Sequence, residues 1–211
     1  MLRSITLAQA ALFAALAMVL LTSYQLADNW ALLETSPKLV LLGSTVPGLV
    51  WAGFFFSLYR SPGSASAAAW IALIFAVILE AVVVYIRFQQ LVSYWTPFGN
   101  ALSLSGWLLR FGWAVFLIAF AVNKDHPRTR RFALLLSIVS APSALSTAYD
   151  AWNNWIGLLL DDVPRQAFRR VVITPAIRTI YWLSQILFLW TVWGNPEAKR
   201  SAERSSTRFT P

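Results

Sequence analysis

SLSGWLLRFGWAVFLIAFAV, residues 103–122, carries a single charge, Arg110, in an otherwise apolar and small-residue run. About 20 such residues in a helix rise about 30 Å, the thickness of a bilayer's hydrocarbon core. The same pattern recurs on both sides of it. Apolar runs extend from Ile5 to Ala27, Leu39 to Tyr59, Ala67 to Phe88, Phe132 to Tyr149 and Val171 to Trp193. Each is bounded by charged, Pro or Gly residues. Isolated strands cannot satisfy their backbone in lipid, and the short alternating segments of a membrane barrel are missing. The expected fold class is therefore all-α: a polytopic membrane bundle of six transmembrane helices.

Composition agrees. The chain has 211 residues, 58% hydrophobic and 12% charged, against about 25% charged in soluble domains. The mean hydropathy is +0.60, and the 11 Trp suit membrane–water interfaces. A soluble protein with a very large core is the competing reading, and the apolar runs are too long and too many for it. The first run resembles a signal peptide, with Arg3 ahead of an apolar core. That core is longer than usual and no A-x-A site follows, so the helix is expected to be retained.

The net charge of +8 would point a soluble protein toward nucleic acid. Here the cations lie between apolar runs and near the C-terminus. Six spans place Arg3, Arg60, Lys124, Arg128, Arg130, Arg131, Lys199, Arg200, Arg204 and Arg208 on one side. Lys38, Arg87, Arg165, Arg169 and Arg170 fall on the other. The positive-inside rule makes the richer side cytoplasmic, with both termini there. The expected partners are the bilayer, anionic lipids against Lys124, Arg128, Arg130 and Arg131, and membrane-protein subunits; nucleic acid is not expected. The composition fits a bacterial plasma (inner) membrane.

Residues 150–170 hold Trp152, Trp155, Ile156 and Leu158 to Leu160 before Asp161 and Asp162. They read as an interfacial helix followed by a capped one leading into the last span. The tail, 195–211, is polar, basic and expected to be disordered. Pro47, Pro142 and Pro175 fall in or near spans two, five and six and are expected to kink them. The small-residue stretches Ala8 to Ala17 and Ala65 to Ala69 suit close helix packing.

Three ionisable residues interrupt the runs: Glu80, Arg110 and Arg178. Each costs about 2.5–3.5 kcal/mol at mid-membrane on insertion scales unless paired or hydrated. All three fall about 10–12 Å below the outer interface, counted at about 1.5 Å per residue. Arg87 lies two turns above Glu80, with Tyr85 between. Trp107 and Trp113 flank Arg110 at steps of three, and Trp182 follows Arg178 by one turn, so cation–π contacts are plausible. Asp150, with Gln89, Gln90, Asn153 and Asn154, would line the outer rim. The bland reading is a structural ion pair locking helix three to helix four or six. The functional reading is an outward-facing pocket of net positive charge for an anionic ligand, a lipid headgroup or a carboxylate substrate. Spans four and six also share an early Arg, a following Trp and a Pro after the end, the pattern of a duplicated hairpin.

Several chemistries are excluded. Cys is absent, so disulfides, thiol catalysis and iron–sulfur ligation are ruled out. His126 is the single His and falls in a loop, which leaves no Ser–His pair in the membrane and no His-rich metal site. No cofactor, metal or catalytic residue is expected. The SLSG stretch from Ser103 to Gly106 lacks a partner base, and Tyr149-Asp150 lacks a second membrane aspartate, so the pair reads as a helix end. The role expected first is a structural, assembly or accessory subunit of a membrane complex. The alternatives are a transporter or receptor-like binder, and a membrane enzyme using Glu80 or Asp150.

Overall fold

A computed structural model describes residues 5–35, 38, 45–61, 66–78, 97–160 and 172–194, with backbone alone at 31, 32, 35, 97–108 and 157–160. The described residues are helical throughout and contain no strand. The helices are α1 (Leu7–Asp28), α2 (Trp30–Thr35), α3 (Val46–Arg60), α4 (Ser66–Ile78), α5 (Pro97–Asn123), α6 (Pro127–Leu160) and α7 (Thr174–Gly194). Among the described residues two segments, α1 and the Pro127–Ile156 part of α6, are long and apolar enough to cross a membrane. Ser66–Ile78 and Leu109–Asn123 are shorter apolar helices.

Local chemistry sets the ends. A capping box opens α1: Thr6 Oγ1 accepts the Gln9 N–H at 3.2 Å, and Gln9 Oε1 accepts the Thr6 N–H at 3.0 Å. Two orphan donors are thereby satisfied. Asn29 closes the helix, its Nδ2 donating to the Gln25 carbonyl at 2.8 Å. The turn between α5 and α6 is tight. The buried Thr129 hydroxyl donates to the carbonyls of Asn123 (2.8 Å) and Ala119 (3.1 Å). His126 Nδ1 accepts the Arg128 N–H at 3.1 Å, and Pro127 stands at the first helical position, where its missing donor costs nothing.

Pro47 and Pro175 stand near the starts of α3 and α7, with helical residues Thr45, and Val172 and Ile173, ahead of them. Pro142 lies inside α6, which continues through it. One expectation changes. The interfacial segment expected from 150 is, as far as Leu160, the end of α6, a single helix of 34 residues. Asp150 therefore sits within a helix rather than at its end. The rest of that segment and the tail lie outside the described residues.

Hydrogen bonds fix the helix directions. Tyr24 Oη and Thr174 Oγ1 meet at 3.0 Å, joining the end of α1 to the start of α7. Arg130 Nε donates to the Trp193 carbonyl at 2.8 Å, joining the start of α6 to the end of α7. The Thr179 hydroxyl donates to Thr147 Oγ1 at 3.2 Å further along the same pair. Ser66 Oγ donates to the Ala121 carbonyl at 2.5 Å, joining the start of α4 to the end of α5. Near the start of α3, Gly48 packs on Thr22 near the end of α1. Thus α1, α4 and α6 run one way, and α3, α5 and α7 the other. Arg60, Lys124, Arg128, Arg130 and Arg131 all gather at one end.

The core is aromatic at its centre. Phe188 of α7 meets Phe55 at 5.0 Å between ring centroids and Phe54, Phe116 and Phe120 at 6.3–6.5 Å. Mixed edge-to-face and tilted geometries follow from the ring quadrupoles. Around it the inward faces are small: Ala10, Ala11, Ala14, Ala15 and Ala17 on α1, Ala69 and Ala72 on α4, Ala133 on α6. The outward faces are large: Phe13, Leu16, Val19 and Leu20 on α1; Trp70, Ile71, Ile74 and Phe75 on α4; Leu135, Ile138, Val139 and Leu145 on α6. Small residues inside let backbones approach closely, as the Ala stretches suggested.

Candidate functional site

α5 carries Arg110 on its exposed side and, three residues on, Trp113 on its buried side. The Trp113 indole is engaged in the core, edge-on to Trp51 at 5.2 Å and to Phe116 at 5.6 Å. On α7, Arg178 is exposed, while Tyr181 and Trp182 are half-buried with ring centroids 5.1 Å apart. Trp182 packs against the same core as Trp113. Tyr181 lies one turn beyond Arg178 on α7.

Asp150 is exposed on α6. The Thr147–Thr179 hydrogen bond places it near the height of Arg178, since Thr147 is one turn before Asp150 and Thr179 adjoins Arg178. Glu80, Tyr85 and Arg87 lie outside the described residues, and so does the Trp107 side chain. Arg178, Tyr181 and Trp182 follow one another on α7, with Asp150 of α6 near their height, while Arg110 stands on α5 one turn before Trp113, which shares a core with Trp182.

No family model, no curated protein and no solved structure matches this chain.

Tyr181 was not anticipated, although its position one turn from Arg178 was a usable signal. Gln185, another turn along, was also missed. Its side chain is 1% exposed and its Nε2 has no hydrogen-bond partner among the described residues. An unpaired amide in an apolar interior costs about 1–3 kcal/mol. The neighbouring Ser184 hydroxyl is satisfied within its own helix by the Tyr181 carbonyl at 2.7 Å. On α6 the buried Ser140 likewise donates to the Leu136 carbonyl at 2.7 Å. Among the described residues no three His, Asp or Glu side chains converge as a metal site would need. The arrangement offers two cations, a phenol and an indole, which suit an anion with an apolar body.

Proposed function

We propose that this chain is a polytopic helical protein of the plasma membrane, with both termini cytoplasmic, acting as a structural or accessory subunit of a membrane complex. One observation carries the membrane part: on α1, α4 and α6 the buried residues are mostly Ala, Ser and Thr, while Phe13, Leu16, Trp70, Ile71, Leu135 and Ile138 are exposed. In water this is the wrong way round, since burying a large apolar side chain gains about 1.5–3 kcal/mol and burying Ala far less. In lipid the large side chains lose nothing outside, and tight backbone packing decides what goes inside. A core helix of a soluble protein would be mostly buried, yet only 39% of the apolar window of α1 and 28% of that of α6 is buried.

The alternation of helix directions and the gathering of cations at one end support six crossings with the basic end inward. Alkaline washing of membranes from expressing cells tests the membrane reading: retention in the pellet is expected. A chain that stays monodisperse in buffer without detergent overturns it. The accessory role is tested by size. Extracted from its own membrane in mild detergent, the chain should migrate in an assembly much larger than the chain purified alone. Equal sizes would refute that role.

A second reading has its own observation: Arg110 and Arg178 each stand one turn before an indole, Trp113 and Trp182, packed against the same core. It makes this region a site for an anionic ligand, with Glu80 as the charge that would balance one arginine. Titration with dioctanoyl phosphatidate, read by Trp fluorescence, should saturate for the native chain and weaken for Arg110→Gln and Arg178→Gln. An unchanged titration in both variants removes this reading.

A further inference from the structure

Of the helix ends gathered at the basic end, those of α3, α5 and α6 each set a cation beside an outward apolar side chain. On α3 the exposed Tyr59 precedes the exposed Arg60. On α5 the exposed Val122 is followed by Lys124, and on α6 the exposed Arg128 and Arg131 adjoin the exposed Phe132. The apolar belt of the bundle thus runs into a rim of cations. The turn is ordered in a way that fixes this rim. His126 Nδ1 holds the Arg128 N–H, and Thr129 ties the start of α6 to the end of α5. Asp125, also exposed in the turn, is the one opposing charge there among the described residues.

The arginines of this turn do not share one task. Arg130 is half-buried, and its Nε donates to the Trp193 carbonyl of α7 at 2.8 Å. Arg128 and Arg131 lie outside that contact and face outward. Charge complementarity then selects one occupant for the rim, the headgroups of an acidic phospholipid leaflet. Cations close to such a surface gain roughly 1 kcal/mol each.

We propose that Arg60, Arg128 and Arg131 form an acidic-phospholipid binding rim, while Arg130 is a helix clamp that takes no part in lipid selection. The inference rests on the membrane reading above and deepens it. The test is lipid retention by the full chain in micelles containing equal dioleoyl phosphatidylglycerol and dioleoyl phosphatidylcholine, with thermal stability measured alongside. The native chain should retain phosphatidylglycerol preferentially. Each cation removed should lower that preference about fivefold, the equivalent of roughly 1 kcal/mol, so Arg128→Gln/Arg131→Gln should nearly abolish it with melting unchanged in phosphatidylcholine alone. Arg128→Lys/Arg131→Lys should keep it. Arg130→Gln should lower the melting temperature in either lipid and leave the preference intact. Salt at 1 M, where the screening length falls to about 3 Å, should erase the native preference. The proposal is overturned if the double Gln variant keeps the full preference, if Arg130→Gln alone abolishes it, or if a native chain that needs detergent shows none. Solubility without detergent would instead overturn the membrane reading itself.

Discussion

Gly48 lies directly against the Thr22 side chain: a Cβ at residue 48 would stand 1.8 Å from Thr22 Oγ1 and 2.9 Å from its Cβ. The contact lies between α1 and α3, and no rotation of the Thr22 side chain removes the overlap with its Cβ. Gly48→Ala should therefore destabilise by about 1–3 kcal/mol, the usual cost of overpacking. Gly53→Ala, with nothing within 4 Å of its added Cβ, should be neutral or stabilise by up to about 1 kcal/mol through helix propensity. Thermal unfolding in detergent separates the two. Thr22→Ala should recover part of the Gly48→Ala loss in the double variant, and strict additivity would contradict the contact.

Phe188 should be the most costly single truncation on α7. It is fully buried and touches rings from α3 and α5. Phe188→Ala should cost about 3–5 kcal/mol. Trp190→Ala, two residues on and largely outward-facing, should cost much less in micelles. Comparable losses at both sites would mean that the aromatic cluster is not the centre of the core.

Gln185→Met should raise the melting temperature. The side chain keeps its length and shape while the unpaired amide donor disappears, a gain on the order of 1 kcal/mol. A marked loss of stability in this variant would show that the amide makes an essential contact.

Thr129→Val should loosen the α5–α6 turn. The methyls preserve the packing, but the carbonyls of Asn123 and Ala119 lose their donor. A loss of about 1 kcal/mol is expected. Hydrogen exchange should rise first at the Asn123–Thr129 turn, while the ends of α6 and α7 joined by Arg130 stay protected.

The sequence made the apolar helices legible because long apolar runs can be counted. The start of α1 was placed within a few residues for that reason. It failed where the helix outlasts the solvent that reveals it. Arg128, Arg130 and Arg131 looked like a loop, yet they occupy the first turns of α6, since a helix continues through water as readily as through lipid when its ends are capped. Tyr149-Asp150 reads as the end of the fifth span and the segment after it as a separate interfacial helix, yet α6 runs through both. Which face of α1 turns inward was hidden for a related reason. Both faces are apolar, so only side-chain volume distinguishes Ala11 and Ala14 from Phe13 and Leu16. At the candidate site, where Arg110 stands relative to α7 depends on inter-helix register, which one chain's spacing does not encode. Gln185 was passed over because only charges were weighed within the runs. The pairing foreseen for Glu80, Tyr85, Arg87 and Trp107 falls outside the described side chains and stays an expectation.

With 34 residues, α6 is about 51 Å long, against roughly 30 Å of hydrocarbon. Its first turns are pinned beside the chain's basic end through Arg130. The surplus must accumulate at the far end, where Tyr149, Trp152 and Trp155 are exposed. On the membrane reading α6 is then a strut standing proud of the bilayer. Thinning the lipid lengthens the part that protrudes, and thickening it draws those rings down among the headgroups, so the outer profile of the protein is geared to the thickness of the membrane around it.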